Sequence, residues 1–309
     1  TLTGSTAANT LIGGAGDDVL QGGNGVDVAA FLGSRSDYVI DYGAVVTAPG
    51  GGTQSAIVVT ALLGSEGSDT LFADMERVLF RGDGVELDLG ETLIGTSGVD
   101  TLLGRAGHDT LIGGADDDTL FGGVGTDSLV GEGGDDLFFG GSEADRIEGG
   151  DGLDTVSYAD AASYAQINLN GTGAVASAGA AAGDVIRGVE VAIGTDYNDY
   201  LRGTYEKTTS ETLYGGDGND FLYASANAGV VDTLVGGEGS DRFYGGSGAS
   251  SIELVSYEDA TSGVTASLAN AALAGDALYQ HVDGLIGSAH DATLTGSTAA
   301  NTLIGGAGD

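Results

Sequence analysis

The sequence predicts an all-β solenoid built from short strands and glycine-rich turns. Three observations predict this fold: nine-residue segments repeat along much of the chain, glycine occupies fixed positions within each segment, and one apolar residue recurs near its end. The 309 residues include 59 glycines and one proline. Because repetition at a fixed short period is typical of solenoid architectures, we expect two nonapeptides to form one coil.

The clearest repeats occupy residues 95–157, where seven nonapeptides follow one another without interruption. Each begins with glycine, has aspartate at its sixth position and an apolar residue at its eighth. The aspartates are Asp100, Asp109, Asp118, Asp127, Asp136, Asp145 and Asp154. The apolar residues are Leu102, Leu111, Leu120, Leu129, Phe138, Ile147 and Val156. Positions seven to nine are predicted to form a strand whose eighth side chain points inward.

The turn glycines are the second feature of the repeat. Glycine adopts positive φ readily, so a glycine-rich turn can direct several carbonyl oxygens toward one point. The aspartate at position six adds a carboxylate, and Ca²⁺ takes roughly six to eight oxygen ligands. One turn cannot supply that number, so we expect two stacked turns to share an ion. The sequence therefore predicts calcium ions that join successive coils.

The candidate ligands are the acids at position six and the glycines of the most regular repeats. Outside residues 95–157, the aspartates are Asp18, Asp27, Asp199, Asp220, Asp232 and Asp241. The glycines, acting through carbonyl oxygens, are Gly104, Gly113, Gly114, Gly122, Gly123, Gly125, Gly131, Gly140, Gly141, Gly215, Gly216, Gly218, Gly236, Gly237 and Gly239. Two weaker candidates are Asn9, a neutral amide, and Asp69, which belongs to an isolated repeat-like turn.

The pattern G-G-x-G-x-D-x-U-x, with U apolar, resembles the RTX or haemolysin-type calcium-binding repeat. The resemblance is specific over residues 95–157, where all seven nonapeptides have its first glycine, its aspartate and its apolar residue. It implies a parallel β-roll that binds multiple Ca²⁺ ions. It also implies an extracellular or cell-surface protein, because RTX-like proteins commonly leave the cell by a one-step type I secretion route.

Roll blocks are predicted to alternate with β-rich bridging segments. The blocks are 1–30, 95–157 and 194–250, the last with insertions, and the bridges are 31–94, 158–193 and 251–286. We expect the bridges to cap the ends of the roll, where unpaired strand edges would otherwise be exposed. In the third block, the segment GGSGASSIE places Ser250 at position six, where no carboxylate is available.

Residues 1–17 recur letter for letter as residues 293–309. A roll tolerates variation at most positions, so identity over this whole segment favours tandem duplication. Segment 287–309 would then begin the next copy, and we expect tandem copies of the chain to be its partners. An artificial joining of the two ends is the alternative.

The charge balance limits the possible partners. The chain has 46 acidic and 9 basic residues, a net charge of −37 at pH 7, and no cysteine. This acidity argues against nucleic-acid binding, which requires basic surfaces, and against direct insertion into anionic membranes. No charged-then-apolar leader and no apolar run of about 18 residues is present, so we expect neither a signal peptide nor a membrane span in this segment.

The same charge predicts that folding depends on calcium. Self-repulsion and the backbone entropy of glycine should leave the metal-free chain disordered, so that binding and folding become one event. Calcium sites of weak to moderate affinity, with Kd on the order of 10⁻⁴ to 10⁻³ M, are filled outside the cell. This argument also favours an extracellular location.

Two functions remain open at this point. The first is a calcium-stiffened structural repeat of a giant secreted fibre, surface layer or adhesin, without catalytic activity. The second is the calcium-binding carboxyl-terminal portion of a secreted protease, lipase or epimerase. The sequence contains no Gly-x-Ser-x-Gly, His-Glu-x-x-His or phosphate-binding motif, and the tandem duplication favours the first function.

Position nine indicates a possible contact surface. In alternate repeats of the long block it is Leu103, Phe121 and Phe139, an apolar stripe that recurs once per pair of nonapeptides. If these side chains point outward, they form an exposed apolar ladder, which usually marks a contact surface. We favour a bridge folding over this stripe, and lateral packing with another chain is the alternative.

Overall fold

The structure, a computed structural model, describes residues 1–22, 27–47, 53–62, 67–71, 77–82, 85–88, 90, 92–104, 107–169, 179–204, 209–225, 229–246, 251–269, 272–273 and 276–308. Within these ranges it is all-β, with one short 3-10 helix at Arg35–Asp37 and no α-helix. None of the described residues belongs to a helix that is long and apolar enough to cross a membrane. The predicted fold class is confirmed.

Two compact units make up the chain. One comprises Thr1–Glu91 and Ala106–His108, and the other comprises Thr92–Arg105 and Asp109–Asp309. The strands of the first unit are β1 (Leu2–Thr3), β2 (Thr10–Leu11), β3 (Val19–Gln21), β4 (Val28–Phe31), β5 (Tyr38–Thr47), β6 (Thr53–Ala61), β7 (Ser68–Leu71), β8 (Arg77–Phe80) and β9 (Val85–Asp88).

The strands of the second unit are numbered onward from the first. The strands up to the end of the long block are β10 (Thr92–Ile94), β11 (Thr101–Leu103), β12 (Thr110–Gly114), β13 (Thr119–Val124), β14 (Ser128–Gly133), β15 (Leu137–Ser142), β16 (Arg146–Asp151) and β17 (Thr155–Ser157). The next are β18 (Gln166–Asn168), β19 (Val185–Arg187), β20 (Val191–Ile193), β21 (Tyr200–Arg202), β22 (Thr212–Gly218), β23 (Phe221–Tyr223), β24 (Val231–Gly239) and β25 (Arg242–Tyr244). The last are β26 (Ile252–Ser256), β27 (Thr265–Ser267), β28 (Ala272–Leu273), β29 (Asp276–Gln280), β30 (Gly284–Ile286), β31 (Thr293–Thr295) and β32 (Thr302–Ile304).

Parallel pairing between alternate strands builds the second unit. One sheet has the order β10-β12-β14-β16-β19, and a ten-stranded sheet has the order β11-β13-β15-β17-β20-β22-β24-β26-β30-β32. In the long block each strand pairs with the equivalent strand two nonapeptides later, so Leu111 lies beside Leu129 and Leu120 beside Phe138. The predicted coil of two nonapeptides is confirmed over residues 95–157.

The core lies between the sheets and is filled by residues at position eight. From Leu111 to Val156 these side chains are fully buried, as predicted from the repeat. The core continues beyond the long block with Ile167, Ile186, Ala192, Leu201, Leu213, Leu222, Leu234, Phe243, Val255 and Leu285. Each of these strands therefore contributes one inward side chain, and burial of this apolar row stabilises the stack.

Strand pairing continues through the segment 158–193 instead of stopping at it. Strand β19 pairs with β16, β20 pairs with β17, and β18 pairs with β21, all in parallel. The segment therefore adds strands to the roll. An isolated antiparallel bridge between Ala165 and Gly179 also lies within it.

The third block has longer coils than the second. Its register exceeds two nonapeptides, pairing Leu213 with Leu234 and Leu201 with Leu222. Strand β26 continues this register and pairs Asp232 with Glu253, so Glu253 lies at position six of its turn. The register inferred from GGSGASSIE, which put Ser250 there, differs because it assumed a nine-residue turn; Ser250 itself lies outside the described residues.

The first unit combines roll coils with antiparallel pairing of β5 with β6, β6 with β7 and β8 with β9. Its sheets have the orders β1-β3-β7-β6-β5 and β2-β4-β8-β9. Strand β7 pairs in parallel with β3, so the repeat-like turn at Asp69 stacks on the coil that contains Asp18, far earlier in the chain. Segment 31–94, predicted to be β-rich, contains β5, β6 and β8, of which β5 and β6 form a hairpin.

Candidate metal centres

The acids at position six lie in the turns between strands, and most of them are buried. Asp27, Asp69, Asp109, Asp118, Asp127, Asp136, Asp145, Asp154, Asp199, Asp220, Asp232 and Asp241 are all at most 2% exposed. Asp18, Asp100 and Asn9 are half-buried. Removing a carboxylate from water is costly unless its charge is compensated, so these turns require a source of positive charge or hydrogen-bond donors.

In many turns one carboxylate oxygen joins the turn to the preceding coil. The backbone N–H of one position-six residue donates to Oδ1 of the equivalent aspartate one coil later. In the long block the N···O distances are 2.7 Å for Asp100 to Asp118, 2.8 Å for Asp109 to Asp127, Asp118 to Asp136 and Asp127 to Asp145, and 3.0 Å for Asp136 to Asp154. The same bond joins Asp199 to Asp220 and Asp220 to Asp241.

The second oxygen is left for another partner in several turns. Oδ2 of Asp118, Asp136, Asp145 and Asp220 is buried and accepts no hydrogen bond from the residues that the structure describes. Buried carboxylate oxygens normally have hydrogen-bond donors, and an oxygen without one calls for a bound ion or water. These oxygens therefore meet the first requirement of a cation site.

Backbone carbonyl oxygens converge on the same places. A Cβ built on Gly122 would lie 2.6 Å from Asp127 Oδ2 and 2.4 Å from the carbonyl oxygen of Gly140, one coil later. A Cβ on Gly215 would lie 2.3 Å from Asp220 Oδ2 and 2.5 Å from the Gly236 carbonyl oxygen. A side chain at position one would fill this oxygen-lined space, which explains the glycine at that position.

The remaining predicted glycines take their expected turn positions. Position one is also occupied by Gly104, Gly113, Gly131, Gly140 and Gly236. A Cβ built on any of these glycines would lie 2.0 to 2.6 Å from the carboxylate of its own turn. The predicted glycines at positions two and four all have positive φ. At position two they are Gly114, Gly123, Gly141, Gly216 and Gly237, and at position four they are Gly125, Gly218 and Gly239. The structure thus places all of the predicted glycines in the turns that carry the candidate carboxylates.

The donor set fits a calcium ion. Among the described residues, no group of three or more His, Asp or Glu side chains could hold a metal by itself. A site made of one or two carboxylates must therefore be completed by carbonyl oxygens, and such all-oxygen sites suit Ca²⁺ and not Zn²⁺. When bound, calcium would supply the positive charge that the buried carboxylates lack.

Five acids that occupy position six were missed by the sequence interpretation. They are Asp184, Glu190, Glu211, Glu253 and Asp283. Asp145 N–H donates to Asp184 Oδ1 at 2.8 Å, and Asp154 N–H donates to Glu190 Oε2 at 3.1 Å, which continues the hydrogen-bonded series. Each lies two residues before a buried apolar side chain, and that spacing would have identified them without the glycines.

Asp184 differs because a side chain already occupies its second oxygen. The hydroxyl of Tyr158, a buried residue, donates to Asp184 Oδ2 at 2.5 Å. Burial, together with the adjacent Asp184 charge and this hydrogen bond, raises the pKa of Tyr158 well above its usual value, so the hydroxyl keeps its proton. Tyr158, the first residue of segment 158–193, therefore contacts the roll through this hydrogen bond.

Burial also changes the proton affinity of the candidate ligands. It raises the pKa of Asp145 to about 7, with the Asp184 charge adding to the rise. It raises the pKa of Asp220 to about 8, with the Asp241 and Asp199 charges adding to the rise. Both values describe the metal-free fold, in which the charged carboxylate has no cation beside it.

These shifts predict that acid partly replaces calcium. The folded pKa values of Asp145 and Asp220 exceed the unfolded value near 3.8, so protonation of these groups stabilises the metal-free fold. This stabilisation is complete below the unfolded value and is lost above about pH 8. We expect calcium-depleted protein to show more β signal in circular dichroism at about pH 5 than at about pH 8. The variant Asp145→Asn/Asp220→Asn should show a smaller difference. A β signal that rises with pH would contradict the sign.

The apolar stripe at position nine lies on the outer face of the ten-stranded sheet. Phe121 and Phe139 are half-buried and stack with ring centroids 4.5 Å apart, and Leu103 is 56% exposed. A second aromatic stack lies on another sheet, where the rings of Tyr223 and Tyr244 are 4.1 Å apart. The assignment of the stripe as a contact surface stays a prediction.

Comparison with known proteins gives one family. The family model for the RTX calcium-binding nonapeptide repeat matches residues 1–29, 94–129, 121–156, 208–228, 229–252 and 286–309, which together make up more than half of the chain. No curated protein matches the sequence significantly. The matched ranges contain most of the turns whose carboxylates and carbonyl oxygens converge.

Proposed function

Because the chain belongs to the family of RTX calcium-binding nonapeptide repeat proteins, we propose that it is a structural repeat of a large secreted surface protein, such as a fibre, surface layer or adhesin. RTX repeats bind several calcium ions per array, so calcium is the cofactor of this chain. Proteins with such repeats are typically exported by type I secretion. The proposed role is mechanical and involves no catalytic residues.

The observation that carries the proposal is the behaviour of the duplicated segment. In its first copy, β2 pairs in parallel with the following β4, so that Leu11 lies beside Ala29. In its second copy, the equivalent β32 pairs in parallel with the preceding β30, so that Leu303 lies beside Leu285. The duplicated segment therefore pairs with a later strand in its first copy and with an earlier strand in its second copy. Consecutive copies could then share one uninterrupted stack of strands.

Burial of the duplicated residues supports the same conclusion. Leu11 is 5% exposed in the first copy, whereas its equivalent Leu303 is 43% exposed in the second. Residues following the first copy cover Leu11, and a following repeat would cover Leu303 in the same way. The apolar end is thus suited to another copy of this chain.

Calcium would regulate when the repeat becomes stiff. Inside a cell, where free calcium is low, the acidic chain is expected to stay unfolded and suitable for export. Outside, calcium would bind between coils and convert the chain into a stack of cross-linked turns. The position-six carboxylates and the turn carbonyl oxygens would hold the ions.

A protein with two copies of residues 1–292 followed by residues 293–309 tests this proposal. In excess calcium, small-angle X-ray scattering should fit one elongated rigid particle, and excess chelator should give the profile of an expanded chain. A two-copy protein in which Leu303 is replaced by Asp at the junction between copies is the control for loss of stacking, because it places a charge in the apolar row where the two copies meet. Scattering of the unaltered protein by two independently moving bodies would overturn the continuous stack.

The alternative function is a calcium-binding portion of a secreted enzyme. The neighbouring sequence distinguishes the two: further copies of the duplicated period support the structural repeat, and a catalytic domain directly beside this chain supports the enzyme. The duplication favours the first, because a secreted enzyme requires one such portion and not a series.

A further inference from the structure

The turns of this protein fall into two classes that differ at their second residue. In the first class this residue has positive φ, as in Gly114, Gly141 and Gly216. In the second class it is Thr or Ser, as in Thr96 and Thr195, neither of which is among the described non-glycine residues with positive φ. Thr204 and Ser225 begin two longer turns of the second class in the same way.

In the second class, Thr or Ser donates hydrogen bonds to the position-six carboxylate. Thr96 donates to Asp100 Oδ2 from its N–H at 2.6 Å and from its hydroxyl at 2.9 Å. Thr195 N–H donates to Asp199 Oδ2, and its hydroxyl lies 3.0 Å from that oxygen and 2.9 Å from Oδ1. A carboxylate with two such donors is satisfied without a cation.

The longer turns repeat this arrangement. Ser225 donates to Asp232 Oδ2 from its N–H at 3.1 Å and from its hydroxyl at 2.5 Å. The N–H of Thr204 lies 3.1 and 3.0 Å from the two carboxylate oxygens of Glu211. In the first class, by contrast, Oδ2 of Asp118, Asp136, Asp145 and Asp220 accepts no hydrogen bond from the described residues.

The conformation of the second residue, and not the absence of its side chain, separates the classes. Position two of the turn 131–136 is Glu132, which nevertheless has a φ of +76°. The Asp136 Oδ2 of that turn remains without a donor among the described residues, as in the Gly-Gly turns. At positive φ the second residue therefore leaves the carboxylate open, and at negative φ its N–H and hydroxyl close it.

We infer that Ser or Thr at the second position makes a turn calcium-independent, because its N–H and hydroxyl take the place that calcium takes in turns with positive φ. A cation at Asp199 would have to displace the Thr195 donors from both carboxylate oxygens. Calcium would therefore bind where the second residue has positive φ and leave the other turns unoccupied. The inference requires calcium binding by the chain and does not depend on the mechanical role.

The two classes are distributed unequally along the roll. Turns that lead from the ten-stranded sheet to the opposite sheet form one column, and turns that lead back form the other. In residues 95–157 both columns contain turns of the first class, such as 122–127 and 131–136. Beyond residue 194, the turns 215–220 and 236–241 of the first column remain in that class, whereas 203–211 and 224–232 of the second column begin with Thr204 or Ser225. Calcium would thus bind along both edges of the long block and along one edge of the third.

The junction between tandem copies belongs to the second class as well. Ser297 N–H donates to Asn301 Oδ1 at 2.6 Å, and Ser5 makes the same contact with Asn9. A neutral amide suffices there because the serine, and not a cation, is its partner. The sequence interpretation treated Asn9 as a weak calcium ligand, and under this inference its turn binds none.

Calcium content at saturation tests the inference. Purified protein is dialysed to equilibrium against excess calcium, and bound calcium per chain is measured by elemental analysis. The variant Thr96→Gly/Thr195→Gly permits positive φ and removes both hydroxyls, so it should bind at least one more ion than the unaltered protein. The matched variant Thr96→Ala/Thr195→Ala removes the hydroxyls but keeps a residue that disfavours positive φ, so its calcium content should not rise. An unchanged content in the glycine variant, or an equal rise in both, would overturn the inference.

A second comparison does not depend on creating a new site. Asp220→Asn/Asp241→Asn alters two turns of the first class and should lower the calcium content by at least one ion. Glu211→Gln/Asp232→Asn alters the two neighbouring turns of the second class and keeps oxygens that can accept from Thr204 and Ser225. Its calcium content should equal that of the unaltered protein. A loss of calcium from the second variant would overturn the inference.

Discussion

Removing calcium at neutral pH should abolish most of the β structure of this protein. The described fold buries a row of carboxylates in a chain whose net charge is −37. Without the metal, the buried acids repel one another, and the short strands cannot offset the entropy of an ordered glycine-rich backbone. The far-ultraviolet circular dichroism spectrum should therefore change from β to disordered when a chelator is added.

The change should be reversible and specific. Returning calcium in excess should restore the β spectrum, because binding and folding are coupled. Magnesium at the same concentration is the control, since it dehydrates reluctantly and demands a tighter octahedral shell than a flexible carbonyl-rich turn offers. A full β spectrum in excess chelator at neutral pH would refute coupled folding.

Replacing the two carboxylates of adjacent coils should weaken calcium-dependent folding more than any surface change. Asp118 and Asp136 occupy equivalent turns one coil apart and are joined by a hydrogen bond of 2.8 Å. In Asp118→Asn/Asp136→Asn, two buried charged oxygens are lost from neighbouring sites. We expect the calcium concentration at the folding midpoint to rise about tenfold or more, equivalent to about 1.4 kcal/mol per factor of ten.

The same turns offer a matched control. Asp117 and Asp135 precede the two ligands, are exposed, and are joined by their own hydrogen bond, from Asp135 N–H to Asp117 Oδ1. The variant Asp117→Asn/Asp135→Asn removes the same charge, so it reports the effect of net charge alone, and it should shift the midpoint much less. Replacing His108 and His290, which are exposed and are not among the predicted ligands, should also have little effect. Equal midpoints for the Asp118/Asp136 and Asp117/Asp135 variants would show that the register of the ligands is wrong.

The fold of the long block follows from local pattern. Position eight is apolar in every nonapeptide, and the side chains from Leu111 to Val156 are all buried, because a strand of positions seven to nine can present only its middle side chain to the core. Glycines at positions one and two fit the close approach of carboxylate and carbonyl oxygens. Each requirement is met within a single nonapeptide, so the sequence is sufficient to predict it.

The turns outside the long block were harder to predict because their constraint is long-range. Glu253 aligns with Asp232 through pairing across a coil longer than two nonapeptides, and it lies farther from the glycines of its turn than the nonapeptide places an acid. Asp184, near the end of the second bridge, joins Asp145, which lies before that bridge begins. Asp69 joins Asp18 after two antiparallel strands that the nonapeptide does not encode. A motif with fixed spacing cannot register such contacts.

By itself, the sequence determined that the chain is an all-β roll of glycine and aspartate turns, and that calcium is its cation. Those properties come from residues within one nonapeptide, where backbone freedom, carboxylate and inward side chain are all local. Only the tertiary structure decided which strands stack on which, and which carboxylates are satisfied by Thr, Ser or Tyr donors. The physical reason is that the partner of a buried oxygen lies on a neighbouring turn or in a particular backbone conformation, and both arise only when the coils are stacked.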